Sequence, residues 1–431
     1  MAQNTMLEYG EFVDNLKVEL NSYKNTPEKK WKETASRYVN GFAAEELRRL
    51  VSLEKRRNDG VFFTDSLLAE KVLELLKPSF NEHSIIYDAA CGTCNLLIAA
   101  ANYLNKKNIK QLSKNYLLGT DIHAEFVEAA KLRLLMNNLL MLPNKTSNVT
   151  AQKKGYSIKQ KNGLVSNKFY KAATHIFINP PFDQEKITEK LDWASGKVSM
   201  AAVFMEKAIL FANPGTTIMA ILPDVLRSGT RYQKWRDMVD RYCSVEKQIL
   251  LGQFDEHADV DVYATKLVKR KEPLKNKSTV VITGVTNNSD SPKTLSDIFD
   301  ICVGPVVDYR DEDNGPLRPY VVSRGLESWS IQTELAITRK HLGKSFTGPF
   351  VVIKRTSRAT DEYRAMATIV NLPKPVYVDN HLIILQPKSN TLAQCQLAIK
   401  ILKDKRTNDW INEKIRCRHL TVRVVSKIPI F

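Results

Sequence analysis

Apolar residues follow two rhythms along this chain. Short unbroken runs occur at 84–87, 116–120, 175–178 and 216–222, each the length of one buried strand. Between them apolar positions recur at helical spacing. Leu68, Val72, Leu75 and Leu76 make one face, a second pattern opens at Leu96, and stretches at 124–138 and 201–212 follow, the last closed by Pro214-Gly215. Two more strands are predicted at 247–251 and 261–269. Strands alternating with helices predict an α/β, Rossmann-like fold, with a mostly parallel sheet covered on both faces.

The flanks differ. Residues 1–58 read as helical: Leu7, Phe12, Leu16, Val18 and Leu20 open an apolar pattern, and Leu47 and Leu50 continue one up to Lys55-Arg56-Arg57. They predict a helical N-terminal lead-in with a structural role. Residues 183–200 are polar, contain Trp193-Ala194-Ser195-Gly196, and predict a mobile loop over the site. Lys269, Arg270, Lys271, Lys275 and Lys277 mark a boundary at 270–280, between a catalytic domain at 59–270 and a C-terminal domain at 280–431. That last domain has β-type runs at 279–282, 349–354 and 376–385 and helical patterns at 391–403 and 409–415, an α+β composition.

Candidate chemistry lies at the ends of the strands. The run 175–178 ends in Asn179-Pro180-Pro181-Phe182. Two prolines cannot continue a sheet, so the chain leaves it in a stiff, predefined shape. Such a turn presents the Asn179 side-chain oxygen and the Pro180 carbonyl to one amino group, with Phe182 placed to stack on a flat ring. Two acceptors on an exocyclic amine release its lone pair, which suits methyl transfer to nitrogen. A rigid strand-ending loop is the plainer alternative. Upstream, Asp88-Ala89-Ala90-Cys91-Gly92-Thr93-Cys94-Asn95 joins a strand to a helix through small residues that let a ligand approach the backbone. Asp121 ends the next strand, where nucleoside-binding α/β folds grip ribose hydroxyls; it would serve equally as a helix cap. Earlier still, Gly60-Val61-Phe62-Phe63-Thr64-Asp65 precedes a helix.

These four pieces, in this order, resemble the amino-methyltransferases of DNA. Gly60 to Asp65 is similar to their motif X, Asp88 to Asn95 to motif I, Asp121 to the acidic residue of motif II and Asn179 to Phe182 to motif IV. The order, followed by a long C-terminal segment, resembles the gamma group, which mostly methylates adenine at N6, and the likeness spans roughly 40–270. It implies a class I S-adenosylmethionine-dependent methyltransferase fold. It also implies roles: Thr64 and Phe63 at the methionine end of S-adenosylmethionine, Asp88 with the backbone of Ala90 and Gly92 at its amino group, Asp121 on the ribose, and Ile122 and Asn162 at its adenine. Asn179 and Pro180 would hold the target amine and Phe182 would stack on a flipped-out base. The sequence departs from the family pattern at Ala89, Asp65 and Cys94. Cys94 matters most, since it puts a side chain where the backbone is expected to approach the cofactor.

Composition adds a partner. Hydrophobic residues at 43% and charged residues at 26% are ordinary for a soluble protein. No apolar run reaches membrane-spanning length and no secretion signal is evident, so the cytoplasm is the expected location, with no membrane partner. Of six cysteines only Cys91-x-x-Cys94 has metal or redox spacing, and it lacks a second pair, so no metal is expected. The net charge of +17 suits a polyanion. Residues 331–431 hold 18 Lys and Arg against 7 Asp and Glu, which places +11 of that charge there. Lys354, Arg355, Arg358 and Arg364, with Arg416-Cys417-Arg418-His419 beside them, resemble a target-recognition domain for double-stranded DNA. Arg227 and Arg231, after the Pro223 turn, would reach phosphates or only water. A basic domain for RNA or a partner protein is the alternative. No nuclease constellation is present, so a restriction endonuclease partner would be a separate polypeptide. Methylation of RNA or of a protein glutamine, and a degenerate DNA-binding subunit, remain competing readings.

Overall fold

In the computed structural model, which describes residues 6–142, 155–165, 167–187, 191–254, 260–274 and 293–431, the apolar runs become one sheet. Its strands begin with β1 (Ile86–Asp88), β2 (Asn115–Asp121), β3 (Gly155–Gln160) and β4 (His175–Ile178). A separate ribbon follows, β5 (Gln184–Lys186) against β6 (Lys197–Ser199), and then β7 (Thr217–Pro223), β8 (Cys243–Gln253) and β9 (Asp261–Lys269). The sheet order is β3-β2-β1-β4-β7-β9-β8. The first five strands are parallel and β9 runs against both its neighbours. β4 and β7 are buried along their whole length, as a strand covered on both faces must be, and that is why they read as unbroken apolar runs.

Three expectations change. β3 was not foreseen, because only Ile158 of its six residues is buried and an edge strand carries little apolar signal. Residues 183–200 are not simply a loop. They hold the β5–β6 ribbon, and Trp193 is buried against Tyr232. In the lead-in, Phe12, Leu16, Trp31 and Leu47 are buried, but Leu7 and Val18 are 71% and 68% exposed and take no part in the apolar face.

The lead-in helices, Gly10–Ser22, Glu28–Val39, Phe42–Leu50 and Leu53–Asn58, belong to the same compact unit as the sheet. Arg133, in helix Ala124–Leu140, joins them to the loop after β1. It is fully buried, and its guanidinium donates to the carbonyls of Tyr38 at 2.9 Å and Val39 at 2.8 Å and to the Thr93 hydroxyl at 3.1 Å. It also donates to the Thr93 carbonyl. Burial pulls this guanidinium down to about 10, and carbonyl dipoles stand in for a counter-ion.

The chain divides into two units, 1–226 with 231–280, and 227–230 with 281–431. The second has strands β10 (Phe299–Val303), β11 (Leu317–Val321), β12 (Ile331–Gln332), β13 (Thr338–Lys340), β14 (Phe350–Lys354), β15 (Ala367–Val370), β16 (Tyr377–Val378) and β17 (Leu382–Pro387). They form a five-stranded sheet, β10-β17-β14-β15-β12, and a three-stranded one, β13-β11-β16. Helices Leu392–Lys403 and Lys405–Lys414 pack on the Val351, Ile353, Ile383 and Leu385 face of the larger sheet. The run expected at 376–385 is broken into β16 and β17 by a turn in which the Asp379 carboxylate accepts the His381 N–H at 3.1 Å. The run expected at 279–282, and Lys275 and Lys277, lie outside the described residues.

Candidate functional site

Parallel neighbours end at the same edge of a sheet. Asp88 and Asp121 therefore close β1 and β2 beside each other, and Asn179 follows β4 on the other side of β1. Two adjoining hollows open at this edge. The larger, about 280 Å³, is lined by Phe63, Ala90, Gly92, Asp121, Ile122, Asn162, Asn179, Pro180 and Phe182, among others. The smaller is bounded by Phe63, Thr64, Asp88, Ala90, Gly92 and Asn179. The structure thus brings together Phe63, Thr64, Asp88, Ala90, Gly92, Asp121, Ile122, Asn162, Asn179, Pro180 and Phe182.

Asn179 is oriented from behind. Its amide donates to the Thr64 hydroxyl at 2.9 Å, and the Thr64 carbonyl in turn accepts from the Asn95 amide at 2.6 Å. The Asn179 side-chain oxygen is buried and accepts no hydrogen bond. A buried acceptor left unmade costs about 1–3 kcal/mol, so this oxygen is primed for a donor. Phe182 forms another part of the wall, its ring meeting Phe254 edge-on at 5.3 Å.

The acidic residues are constrained by backbone donors. Asp121 accepts from the N–H of Gly92 at 2.9 Å and from that of His123 at 3.0 Å. Burial raises its pKa, and His123 opposes the rise. Asp88 is 1% exposed and accepts from the Ala90 N–H at 3.1 Å. Burial pushes it well above the usual carboxylate range, against the Ala90 hydrogen bond, and the nearby Asp121 charge adds to the rise. Gly92 has φ of +49°, and a Cβ there would come within 2.8 Å of the Phe63 ring. This position requires glycine both for its backbone angle and for the ring packed on it. Ile122 stands 42% exposed beside Asp121. Asn162 is exposed, and its side-chain oxygen accepts the Leu164 N–H at 2.9 Å in a local turn.

Cys94 does not crowd the hollows. It is fully buried at φ of +68°, with its side chain in the core beneath the loop rather than on either lining. The expected interference with a cofactor is corrected accordingly: a glycine preference at this place follows from the left-handed backbone, which Cys94 adopts at some cost.

Sequence reasoning missed His123, Phe126 and Asp183. Phe126 holds Phe63 edge-on at 4.9 Å, and His123 packs on Phe126. Asp183 lies on the larger hollow directly after Phe182, and that adjacency was the available signal. Its Oδ1 is buried without a partner, and burial, helped by Glu185, pushes its carboxyl up to about 6. A Cβ on Gly60 would fall 2.6 Å from that oxygen.

The basic residues scatter more widely. Lys354 and Arg355 are half-buried and Arg358 is exposed, all in the second unit. Arg364 is a correction. It is 1% exposed, and its guanidinium donates to Ser357 Oγ at 3.0 Å, Asn412 Oδ1 at 2.5 Å and the carbonyls of Ile415 at 3.1 Å and Cys417 at 2.9 Å. A side chain so enclosed organises the fold and cannot reach a ligand. Arg227, grouped with the second unit, donates to the Glu413 carbonyl at 3.3 Å. Arg231, in the first, donates to the carbonyls of Ser195 and Lys197 and so braces the segment leading into β6. Among the described residues no helix is long and apolar enough to cross a membrane.

The family described as N-6 DNA Methylase matches residues 41–294. No curated protein matches the chain. Among solved structures, the type IIL restriction-modification enzyme MmeI, solved in complex with DNA, aligns over 91% of this chain and 70% of its own at 13% identity, with a TM-score of 0.58. The EcoKI M protein, of a type I restriction enzyme, aligns over 61% of this chain and 63% of its own at 18% identity and a TM-score of 0.38. A chain of a type I restriction-modification system aligns over 54% of this chain and 46% of its own at 18% identity and a TM-score of 0.40. This chain therefore spans about half the length of that last relative. At 13% identity the likeness to MmeI is one of fold.

Proposed function

The chain belongs to the N-6 DNA methylase family, and from that premise we propose that it transfers a methyl group from S-adenosylmethionine to N6 of a flipped-out adenine at specific sites in duplex DNA. The observation that carries this reading is the unpartnered Asn179 oxygen in a hollow shared with Pro180 and Phe182.

The residues present fit the cofactor. Gly92 lines both hollows with its backbone, Asp121 and Ile122 offer a carboxylate beside an exposed apolar face, and Asp88 and Thr64 line the smaller hollow. Asp121 and Ile122 would hold its ribose and adenine, Asn162 the adenine edge, and Asp88, Thr64, Phe63 and the backbone at Ala90 and Gly92 its methionine end. When bound, the cofactor supplies an electrophilic methyl group on a sulfonium. The chain supplies orientation. Asn179 Oδ1 and the Pro180 carbonyl accept the two N–H bonds of the target amine, so its lone pair is released where the reaction needs it. Phe182 stacks on the base and offsets part of the few kcal/mol that unstacking costs.

In this reading double-stranded DNA is held at its phosphates by Lys354, Arg355 and Arg358, with Arg227 and Arg231 as further contacts, and target recognition belongs to the second unit at 280–431. The setting would be a restriction-modification system in the cytoplasm. The test is single-molecule sequencing of unmodified bacterial DNA after incubation with the pure protein and S-adenosylmethionine. N6-methyladenine at one recurring motif is expected. Unmodified DNA despite measured cofactor binding would overturn the DNA substrate and point to RNA or a protein amide.

A further inference from the structure

Three stretches of the second unit, distant in sequence, converge beyond the end of β14. Residues 355–357 pair with 418–420: the Leu420 N–H donates to the Arg355 carbonyl at 2.8 Å, the Ser357 N–H donates to the Arg418 carbonyl at 2.9 Å, and Thr356 faces His419. The Thr356 hydroxyl lies 3.3 Å from His419 Nδ1. On the other side the Arg355 N–H donates to the His381 carbonyl at 3.0 Å, and its guanidinium to the Asn380 carbonyl at 2.7 Å. Beneath them the buried Arg364 fixes the carbonyls of Ile415 and Cys417. The patch is thus built on backbone hydrogen bonds and a buried brace, unlike a chance meeting of long side chains.

Its charge is mainly basic. Arg355, His381 and Arg418 all bear on His419. A carboxylate that touches the patch, Asp379, is 4% exposed and lies 2.9 Å from His381 Nδ1, which leaves the other ring nitrogen for a ligand. Burial first, and then the Arg355, His381 and Arg418 charges, lower the pKa of His419. An anion seated among these groups would reverse that crowding and favour the imidazolium.

We propose that Arg355, His381, Arg418 and His419 form a site for a DNA backbone phosphate that takes up a proton as it binds. The proposal rests on the DNA reading above. It adds His381, Arg418 and His419 to the interface and couples that interface to pH. The hydroxyl of Thr356 is a neutral donor to the same oxygen atoms. The sign follows from linkage: a group protonated more fully in the complex than in the free protein makes binding tighter as pH falls through its titration.

The experiment is fluorescence anisotropy of a labelled duplex of mixed sequence with the full chain, at pH 8 and pH 6 and constant ionic strength, with a salt titration at each. Wild type is expected to bind about three- to tenfold tighter at pH 6. The double variant His381→Gln/His419→Gln should lose that gain, binding no more tightly at pH 6 than it does at pH 8. Arg418→Gln should weaken binding at both pH values and lower the slope of log affinity against log salt by about one. Circular dichroism confirms folding of each variant. A double variant that keeps the wild-type pH dependence, or an Arg418→Gln protein that binds as wild type does, overturns the phosphate site and leaves the methyltransferase reading standing. A wild-type chain that binds no duplex at either pH overturns both.

Discussion

Thr64 and Asn179 lie 115 positions apart and are joined by one hydrogen bond of 2.9 Å, in which the Asn179 amide is the donor. With the amide nitrogen on Thr64, the Asn179 oxygen is the end left without a partner. Asn179→Ala should reduce methyl transfer by about 10²-fold or more while cofactor affinity stays near wild type. Thr64→Val, which removes the acceptor, should cost less than Asn179→Ala in turnover. Single-turnover kinetics with calorimetry of cofactor binding checks both; loss of cofactor binding in Asn179→Ala would sink the assignment.

Asp121 accepts two backbone N–H bonds as well as facing the larger hollow. Asp121→Ala should weaken cofactor affinity and also lower stability, by about 1–3 kcal/mol, because Gly92 and His123 lose their acceptor. Calorimetry and a denaturant melt separate the two effects. Unchanged affinity in a destabilised protein would remove Asp121 from the cofactor site.

Asp183 gives a pH signature. Its folded-state pKa is raised from 3.8 to about 6 by burial. A raised acid favours the fold while protonated, and that contribution is lost as pH rises from the unfolded value through about 6. Asp183→Asn is neutral throughout, so its melting temperature relative to wild type should be higher at pH 7.5 than at pH 4. A difference that does not change with pH would mean the Asp183 carboxyl is solvated.

Arg364→Ala should destabilise the chain by about 3 kcal/mol or more, since Ser357, Asn412, Ile415 and Cys417 are left with buried acceptors. Cofactor affinity should not change. A variant with wild-type stability but poor DNA binding would return Arg364 to the role its sequence context suggests.

Much of the first unit was legible because its signals are local. Strands β4 and β7 are buried throughout and mostly apolar, and proline and glycine mark where chain direction changes. Asp88, Asp121 and Asn179 could be placed together because parallel strands carry their ends to one edge. The Thr64–Asn179 bond, the turn that occupies Asn162 and the burial of Asp183 were not legible. Each depends on which side chain faces which across elements far apart in sequence. Arg364 failed for the same reason. In a run of basic residues, sequence cannot tell a guanidinium that meets solvent from one enclosed by four acceptors.

Arg133 reaches the carbonyls of Tyr38 and Val39 on one side and Thr93 on the other. The opening helices and the loop after β1 are therefore tied together by one buried side chain. A recombinant that kept the sheet but exchanged its first forty or so residues would strand a buried cation. Transplanting this unit between proteins calls for those helices, or others that offer Arg133 the same carbonyls, to travel with it.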